Sequence, residues 1–270
     1  MVRKREAGIS LVVPGLDLRL ETVTTRDMFA KHHEVRRERW RLYGFKNLLV
    51  WLIVYLMVNP FLENLSFANL LATTFLTLVL ASALYAVSRH TRLLYAGIIL
   101  LTVLLILVWL TALHIVVMPM ALISGLLILY FGFLVYAIAR RLLVIRKVTF
   151  NAICAALCLY LIMGLLWGSL YAVVESFQPG SFAGNLLNQA ENASEKSSYF
   201  HYFSFVTLST LGYGDIIPQT RGAAALCQME AILGQFFSLV LVARVVGIAV
   251  AQEVSRESEI EVASEPGPDI

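Results

Sequence analysis

Long apolar runs alternate with short polar breaks along most of the chain. A helix that crosses the hydrocarbon core of a membrane needs about 20 mostly apolar residues, because each residue adds about 1.5 Å to its length. Six runs meet this requirement, so the pattern predicts an all-α membrane protein with six transmembrane helices. The least marked break is Met118-Pro119, between the third and fourth spans. The predicted spans are Phe45 to Leu62, Phe67 to Val87, Leu93 to Val117, Pro119 to Ala139, Phe150 to Val174 and Ala223 to Ala251.

The distribution of lysine and arginine predicts the orientation of these spans, because basic residues mark cytoplasmic loops. Residues 1 to 46 hold eleven of them, and the second and fourth connections hold two and four, whereas the first and third connections hold none. We therefore expect both termini in the cytoplasm and residues 175 to 222 outside. The stretch Asp27 to Tyr43 is either a solvated flank of the first span or a helix on the inner leaflet. Because the first apolar run follows a charged segment, we expect a span there and no signal peptide.

Composition changes this picture only by exclusion. The chain of 270 residues is 59% hydrophobic and 14% charged, whereas soluble domains carry about 25% charged residues, which excludes a water-soluble globule. The net charge of +3 is concentrated near the N-terminus, as membrane topology requires, and does not indicate nucleic-acid binding. Cys154, Cys158 and Cys227 lie in apolar runs, so neither a disulfide framework nor a zinc site is predicted.

A segment between the fifth and sixth spans, Tyr199 to Pro218, is apolar but short. Its first half, Tyr199 to Leu208, cannot cross a bilayer but allows three helical turns, with Ser197 or Ser198 as the N-cap. This half is predicted to be a re-entrant helix. Non-helical backbone at membrane depth is tolerated only where it is packed in protein or lines a watery cavity. The glycine-rich half that comes next is therefore expected to face water or ions.

Two glycines, Gly212 and Gly214, alternate with larger residues in this second half. Glycine adopts a positive φ at no steric cost, so successive backbone carbonyls can turn toward one axis. Carbonyls in such a row replace the hydration shell of a bare cation. A glycine-rich turn is the alternative for these residues alone, but the pattern here extends in register from Thr207 to Pro218.

The sequence Thr210-Leu-Gly-Tyr-Gly-Asp215 resembles the selectivity filter of potassium channels. The chain departs from that family at Leu211, where valine or isoleucine is most frequent, and this puts fine selectivity in question. The resemblance implies a re-entrant pore helix, a filter loop and K⁺ as the permeant ion, with no other cofactor. It implies K⁺ coordination, mainly by backbone carbonyls, at Thr210, Leu211, Gly212 and Tyr213, and support of the filter by Thr207, Gly214 and Asp215.

The same resemblance implies an assembly. One filter strand cannot encircle an ion, so four chains form a homotetramer in the lipid bilayer, with the fifth span as outer helix and the sixth as inner helix. The ring of Tyr213 is expected to point away from the axis, with its hydroxyl bonded to the pore-helix layer. The implied organisation is a basic cytoplasmic segment (1–44), a four-helix transmembrane domain (45–147), a pore domain (148–251) and a short acidic cytoplasmic tail (252–270).

One face of the sixth span carries polar residues followed by valines. At about 100° per residue, Gln235, Ser238, Val242 and Val246 share this face, which predicts a wet cavity that narrows to an apolar gate. Alternatively, Gln235 and Ser238 bond to a neighbouring helix. By its distance from the filter, Gly234 matches the glycine hinge of the family.

Several further residues have open roles. Arg244 is expected to face away from the pore, where it snorkels or pairs with a carboxylate such as Glu253. Glu230 either bonds behind the filter or raises the local cation concentration. The glycines in the fifth span either allow close helix approach or reflect the general abundance of glycine in membrane helices. The acids outside either attract cations or form a solvated turret. These glycines and acids are Gly164, Gly168, Glu175, Glu191, Glu195 and Asp215.

The predicted function is passive, potassium-selective conduction across the plasma (inner) membrane by a multi-pass protein. The fourth span lacks basic residues, since Arg140, Arg141, Arg146 and Lys147 come after it, so steep voltage gating through that span is not expected. Two alternatives remain: a subunit of a K⁺ transporter, and a non-conducting membrane sensor or scaffold with a relic filter. No enzyme activity, small-molecule substrate or nucleic-acid partner is predicted, because no acid or metal cluster converges with His201, Ser204 and Ser209.

Overall fold

The computed structural model describes residues 44–58, 61, 68–87, 91–113, 115–116, 118–144, 149–190 and 192–264. The predicted N-terminal segment before Gly44, which includes Asp27 to Tyr43, lies outside the described residues. Residues 265–270 of the predicted tail lie outside them as well. All of the described residues belong to one compact unit, which begins at Arg41.

The described chain consists almost entirely of helices, which confirms the all-α fold class. A two-stranded antiparallel sheet pairs Phe182 with Pro218 and Gly184 with Ile216. The elements are α1 (Gly44–Val58), α2 (Ala68–Val87), α3 (Thr91–Ala112), α4 (Met120–Val144), α5 (Phe150–Phe177), β1 (Phe182–Gly184), α6 (Asn185–Gln189), α7 (Ala193–Leu208), β2 (Ile216–Pro218) and α8 (Arg221–Ser264).

Five helices are long and apolar enough to cross a membrane, and they correspond to the second to sixth predicted spans. The described part of α1 is apolar but shorter, so the total of six spans stays a prediction. The break at Met118-Pro119 is confirmed, because α3 ends at Ala112 and α4 begins at Met120. The spanning segments are Leu70–Val87, Tyr95–Ala112, Met120–Leu143, Phe150–Phe177 and Arg221–Arg244.

The last helix is longer than predicted. The predicted span ends at Ala251, whereas α8 has 44 residues and continues to Ser264, through the first part of the acidic tail. The difference arises because hydropathy marks the end of a span and not the end of a helix. Residues after Ala251 include glutamine, glutamate and arginine, which are good helix formers, and no proline occurs before Pro266.

One apolar core joins α1 to α5 along their lengths. Tyr130 and Leu134 of α4, Leu48 of α1 and Leu80 of α2 are almost completely buried in it, together with Ile162 of α5. Only five residues separate Val144 from Phe150, and so short a connection makes α4 and α5 antiparallel neighbours. Among the first four helices, α4 therefore packs closely against the α5 of its own chain.

A second, aromatic core lies toward the end of α5 that leads into β1. Tyr171, Phe182, Phe200 and Phe203 pack with ring centroids 5.2 to 5.7 Å apart, mostly edge to face. Because such contacts fix ring orientation as well as distance, this cluster gives α5, β1 and α7 a defined arrangement. It forms the scaffold on which the glycine-rich segment rests.

Two glycines set the distance between α5 and α7. A β-carbon at Gly164 would lie 2.8 Å from the ring of Phe205, and one at Gly168 would lie 2.7 Å from the Cα of His201. Both distances are too short for real side chains. The close approach predicted for Gly164 and Gly168 is therefore confirmed, and the element that approaches is α7.

Candidate functional site

The helix before the glycine-rich segment begins earlier than predicted. Its N-cap is Asn192, not Ser197 or Ser198, and the Asn192 side chain accepts a hydrogen bond from the amide of Glu195 at 3.0 Å. The amide group of Asn192 also donates to the Glu195 carboxylate at 2.8 Å. Asparagine followed three residues later by glutamate is close to a capping box, so the sequence held this signal. With 16 residues, α7 is about 24 Å long.

The C-terminal carbonyls of α7 hold the amides of the glycine-rich segment. The amide of Thr210 donates to the carbonyl of Thr207 at 2.9 Å, and the amide of Leu211 donates to that of Val206 at 2.9 Å. The amide of Gly212 donates to the same Val206 oxygen at 3.4 Å. The backbone amides of Thr210, Leu211 and Gly212 are therefore all engaged by the end of α7.

The backbone of the segment alternates between two conformations. Thr210, Gly212 and Gly214 have φ of 58°, 59° and 76°, whereas Leu211 and Tyr213 between them do not have positive φ. This alternation is the geometry expected from the two glycines. Thr210 was not expected to join it, because a left-handed conformation costs an L-residue about 1 to 2 kcal/mol. The hydrogen bond from its amide to the Thr207 carbonyl and a second hydrogen bond from α8 hold it there.

That second bond comes from the predicted cavity face. The side-chain amide nitrogen of Gln235 donates to the Thr210 hydroxyl at 3.0 Å, so α8 contacts the beginning of the glycine-rich segment. The hydroxyl of Ser238 donates to the Gly234 carbonyl of its own helix at 3.0 Å. Within the part of the chain that the structure describes, neither side chain bonds to a neighbouring helix in the manner of the alternative interpretation.

For the rest of that face, the structure gives positions along α8, and the role of these residues in a cavity and gate stays a prediction. Val242 and Val246 are exposed, and Val246 lies 11 residues beyond Gln235, about 16 Å along the helix. Gly234 is buried, and a β-carbon there would lie 2.9 Å from a methyl group of Leu208. Close packing against the end of α7 is therefore one reason for glycine at this position, and its role as a hinge stays a prediction.

The outer end of the segment is clamped by residues that the sequence did not reveal. The hydroxyl of Tyr202 on α7 donates to the Asp215 carboxylate at 2.6 Å, and the amide of Ile216 donates to its other oxygen at 3.0 Å. Desolvation and the hydrogen bond to Asp215 raise the pKa of Tyr202 to about 12, so the phenol remains a donor at neutral pH. In β1, Gly184 lies so close to the Asp215 carbonyl that a side chain would clash with it.

Leu211 and Tyr213 are largely exposed in the single chain, with exposed fractions of 55% and 66%. The hydroxyl of Tyr213 forms no hydrogen bond among the described residues. Its expected bond to the pore-helix layer is therefore not made within one chain and, in a tetramer, requires a neighbouring subunit. Of the predicted site residues, the structure brings Thr207, Thr210 and Gln235 together at the inner end of the segment.

The acidic residue Glu175 is not available to attract cations, which corrects one of the interpretations of the outer loop. Its side chain is buried at the end of α5 and accepts hydrogen bonds from the amides of Gly180 at 3.1 Å and Phe182 at 3.2 Å. The ammonium group of Lys196 lies 3.0 Å from it. Glu175 therefore organises the loop that leads to β1, whereas Glu191 lies outside the described residues.

The two charged residues within the sixth predicted span have structural positions. Arg244 donates to the carbonyl of Leu143 at the end of α4 at 3.1 Å, and its orientation relative to the pore stays a prediction. Glu230 is completely buried and bonds to the hydroxyls of Tyr171 and Ser204. Of the two roles considered for Glu230, the structure supports the one behind the filter.

Comparisons with known proteins add to this geometry. A family described as "Ion channel" matches residues 155–251, which begin within α5 and include the whole glycine-rich segment. Potassium channel protein kcv of Paramecium bursaria Chlorella virus 1 is 37% identical over 71 residues, which cover 26% of this chain and 72% of that protein. The chain belongs to the potassium channel family.

As a member of the potassium channel family, the chain is an integral, multi-pass membrane protein, and the family is one of ion channels and not of enzymes. The family match ends at residue 251, the predicted end of the sixth span. No solved structure gives a significant match. Among the described residues, no group of three or more His, Cys, Asp or Glu side chains is placed to hold a metal ion.

Proposed function

We propose that the chain is one subunit of a homotetrameric channel that conducts K⁺ passively and selectively. The observation that carries this proposal is the alternation of positive φ at Thr210, Gly212 and Gly214, next to α7 carbonyls that occupy the amides of the same segment. A strand with its amides engaged on one side can present a row of carbonyls on the other. Such a row replaces the hydration shell of K⁺.

Four residues of this strand are proposed to coordinate the ion. The backbone carbonyls of Thr210, Leu211, Gly212 and Tyr213 form the row. The Thr210 hydroxyl, which accepts a hydrogen bond from Gln235, can direct its remaining lone pair toward the ion. Gln235 thereby links the cavity to the base of the filter. Leu211 keeps the carbonyl that valine or isoleucine would supply, and its γ-branched side chain packs differently behind it.

The uneven coverage of the helices supports a tetramer. Only 11% of the α8 span is buried in the single chain, compared with 56% of the α5 span, although a channel places α8 nearest its axis. Phe236, Leu239 and Val240 of α8 are each more than 60% exposed. Three further subunits around a common axis would cover these side chains and leave the face with Gln235 and Val242 toward a central cavity.

The same proposal assigns location and orientation. The excess of basic residues before α1 and after α2 and α4 favours the cytoplasmic side for those ends. With six spans, both termini lie in the cytoplasm of a plasma (inner) membrane. The loop with β1 and the outer end of the filter segment then faces outward.

Flux of K⁺ out of liposomes tests the proposal directly. Purified protein with an outward K⁺ gradient should give barium-sensitive flux that vanishes in Gly212→Asp, because a side chain at φ of 59° strains the strand and adds four carboxylates at the axis. The matched control is Gly222→Asp in the first turn of α8. A β-carbon at Gly222 meets nothing within 4 Å, so this variant should conduct normally.

Three results would contradict the proposal in different ways. Equal Na⁺ and K⁺ flux would disprove selectivity. Flux that depends on a second ion gradient would favour a transporter subunit, and no flux under any condition would favour a scaffold with a relic filter. Chemical cross-linking in the same liposomes should stop at four chains, and a dimer as the largest species would disprove the tetramer.

A further inference from the structure

Glu230 is a buried acid on the side of the inner helix that faces away from the cavity. It lies five residues before Gln235, which places it about 140° around the helix from the cavity face. Its exposed fraction is 0%. An acidic side chain within a membrane span is costly, and its presence generally indicates a role.

The Glu230 carboxyl group joins three helices. One oxygen contacts the hydroxyl of Tyr171 on α5, and the other contacts the hydroxyl of Ser204 on α7. The same Ser204 hydroxyl lies 2.7 Å from the backbone carbonyl of Gly164 on α5. These groups form one continuous chain of hydrogen bonds from Tyr171 through Glu230 and Ser204 to Gly164.

Counting protons along this chain assigns the state of the acid. A serine hydroxyl has one proton, and a backbone carbonyl only accepts. Ser204 must therefore donate its proton to Gly164 if that contact is a hydrogen bond, and its contact with Glu230 then needs a proton from the carboxyl group. Tyr171 supplies the proton for the other carboxyl oxygen. With Glu230 protonated each of the three contacts has one proton, whereas with Glu230 ionised one contact has none.

The surroundings of Glu230 favour the same state. The titratable groups that face it are Tyr171 and Tyr160 from α5 and Cys227 from its own helix. From α7 the facing group is Ser204, and His201, one turn earlier, bonds to Ser169 at 3.3 Å. In the part of the chain that the structure describes, no lysine or arginine bonds to the Glu230 carboxyl. An ionised Glu230 would be a buried charge without a counter-ion.

We propose that Glu230 is a protonated carboxylic acid that positions the pore helix by donating a hydrogen bond to Ser204. Ser204 lies two and three residues before Val206 and Thr207, whose carbonyls hold the amides of the filter segment. The acid thus acts on the filter through α7 and does not touch the ion. This inference rests on the proposed function where it concerns conduction, but the protonation state stands independently of it.

Infrared spectroscopy tests the proton without any flux. At neutral pH the purified protein should show the C=O stretch of a protonated carboxylic acid, and Glu230→Gln should remove that band. Glu175→Gln is the matched control, because Glu175 is also buried but receives only donors, from two amides and Lys196, as an ionised carboxylate does. That variant should leave the band in place. A spectrum without a band that depends on Glu230 would overturn the proposal.

Flux tests the positioning role. Glu230→Ala leaves the buried Tyr171 hydroxyl without its acceptor and Ser204 without its donor, and we expect about a tenfold loss of K⁺ flux. Glu230→Gln should restore most of it, because an amide accepts from Tyr171 and donates to Ser204 as the protonated acid does. Normal flux in Glu230→Ala, or equal losses in both variants, would overturn the positioning role.

The infrared and flux experiments together distinguish failure of this inference from failure of the proposed function. If the unmodified protein conducts no K⁺, the proposed function fails while the Glu230-dependent band still supports the protonated acid. If the protein conducts K⁺ and the band is absent, the inference fails and the proposed function stands. If Glu230→Ala does not fold, the spectrum and the flux of Glu230→Gln decide the question together.

Discussion

The first four helices and the region from α5 to α8 use polar contacts in different ways. Between α2 and α4, two side chains each donate to a backbone carbonyl, Tyr130 to Leu80 and Arg141 to Ala86, and the core around them is apolar. Around the filter segment, by contrast, Glu175, Glu230 and Asp215 each form hydrogen bonds with two or more groups. Networks of this kind hold atoms in one arrangement, which a filter requires and a scaffold of helices does not.

The largest effect should come from the glycine contact that brings α5 against α7. In Gly168→Ala the added β-carbon would lie 2.7 Å from the His201 Cα, so the pore helix must move. Overpacking of this kind costs about 1 to 3 kcal/mol. We expect a lower melting temperature and loss of most K⁺ flux in liposomes, because the displaced helix carries the carbonyls that hold the filter amides.

The same glycine-to-alanine change in the first four helices should reduce neither K⁺ flux nor melting temperature. A β-carbon at Gly132 in α4 meets nothing within 4 Å, so Gly132→Ala adds a methyl group in open space. Flux and melting temperature should stay at the values of the unmodified protein. If Gly132→Ala reduced flux as much as Gly168→Ala, the distinction between the two regions would be wrong.

A smaller effect is expected at the outer end of the filter. Tyr202→Phe removes the hydroxyl that donates to Asp215 at 2.6 Å, and a hydrogen bond to a charged group contributes about 1.5 to 3 kcal/mol. The loosened outer end should lower both the K⁺ to Na⁺ permeability ratio and the melting temperature, and the permeability ratio is the informative readout. The measurement is the reversal potential of liposome-derived bilayers under opposing K⁺ and Na⁺ gradients.

The pKa of Tyr202 determines how the permeability ratio should depend on pH. With a pKa raised to about 12, the phenol stays protonated through the neutral range. Only under strongly alkaline conditions does it lose its proton, and with it the hydrogen bond to Asp215. The permeability ratio should therefore not change with this group near neutral pH. Tyr136→Phe, at an exposed tyrosine of α4, is the matched control and should leave the ratio unchanged. Equal K⁺ to Na⁺ permeability ratios in Tyr202→Phe and Tyr136→Phe would show that Tyr202 does not contribute to selectivity.

The sequence predicted the parts of the site that depend on neighbouring residues. Apolar length predicted six spans, five of which correspond to helices long and apolar enough to cross a membrane. The alternation of Gly212 and Gly214 predicted the left-handed backbone at both positions. Helical periodicity placed Gln235 on a face with Val242. In each case the physical cause acts over a few residues, so it can be recognised without a three-dimensional structure.

The contacts that hold the filter could not be predicted in the same way. Tyr202 and Asp215 are 13 residues apart, and Tyr171 and Glu230 are 59 apart, so only the packing of whole helices brings them together. Thr210 adopts a positive φ against its own preference because the surrounding structure imposes it. The N-cap at Asn192 differs from these, since a local pattern with Glu195 was present in the sequence.

The smallest effect should come from one hydrogen bond between α2 and α4, from the Tyr130 hydroxyl to the Leu80 carbonyl. Tyr130→Phe removes one donor to the Leu80 carbonyl, which lies within α2 and keeps its place in the helical ladder. The loss should therefore be about 0.5 to 1.5 kcal/mol of stability, seen as a slightly lower melting temperature. Flux and permeability ratio should match those of Tyr136→Phe, because no hydrogen-bonded chain connects Tyr130 with the filter among the described residues. A change in selectivity here would mean that the packed core between α4 and α5 transmits to the filter, and that the first four helices do more than support the pore.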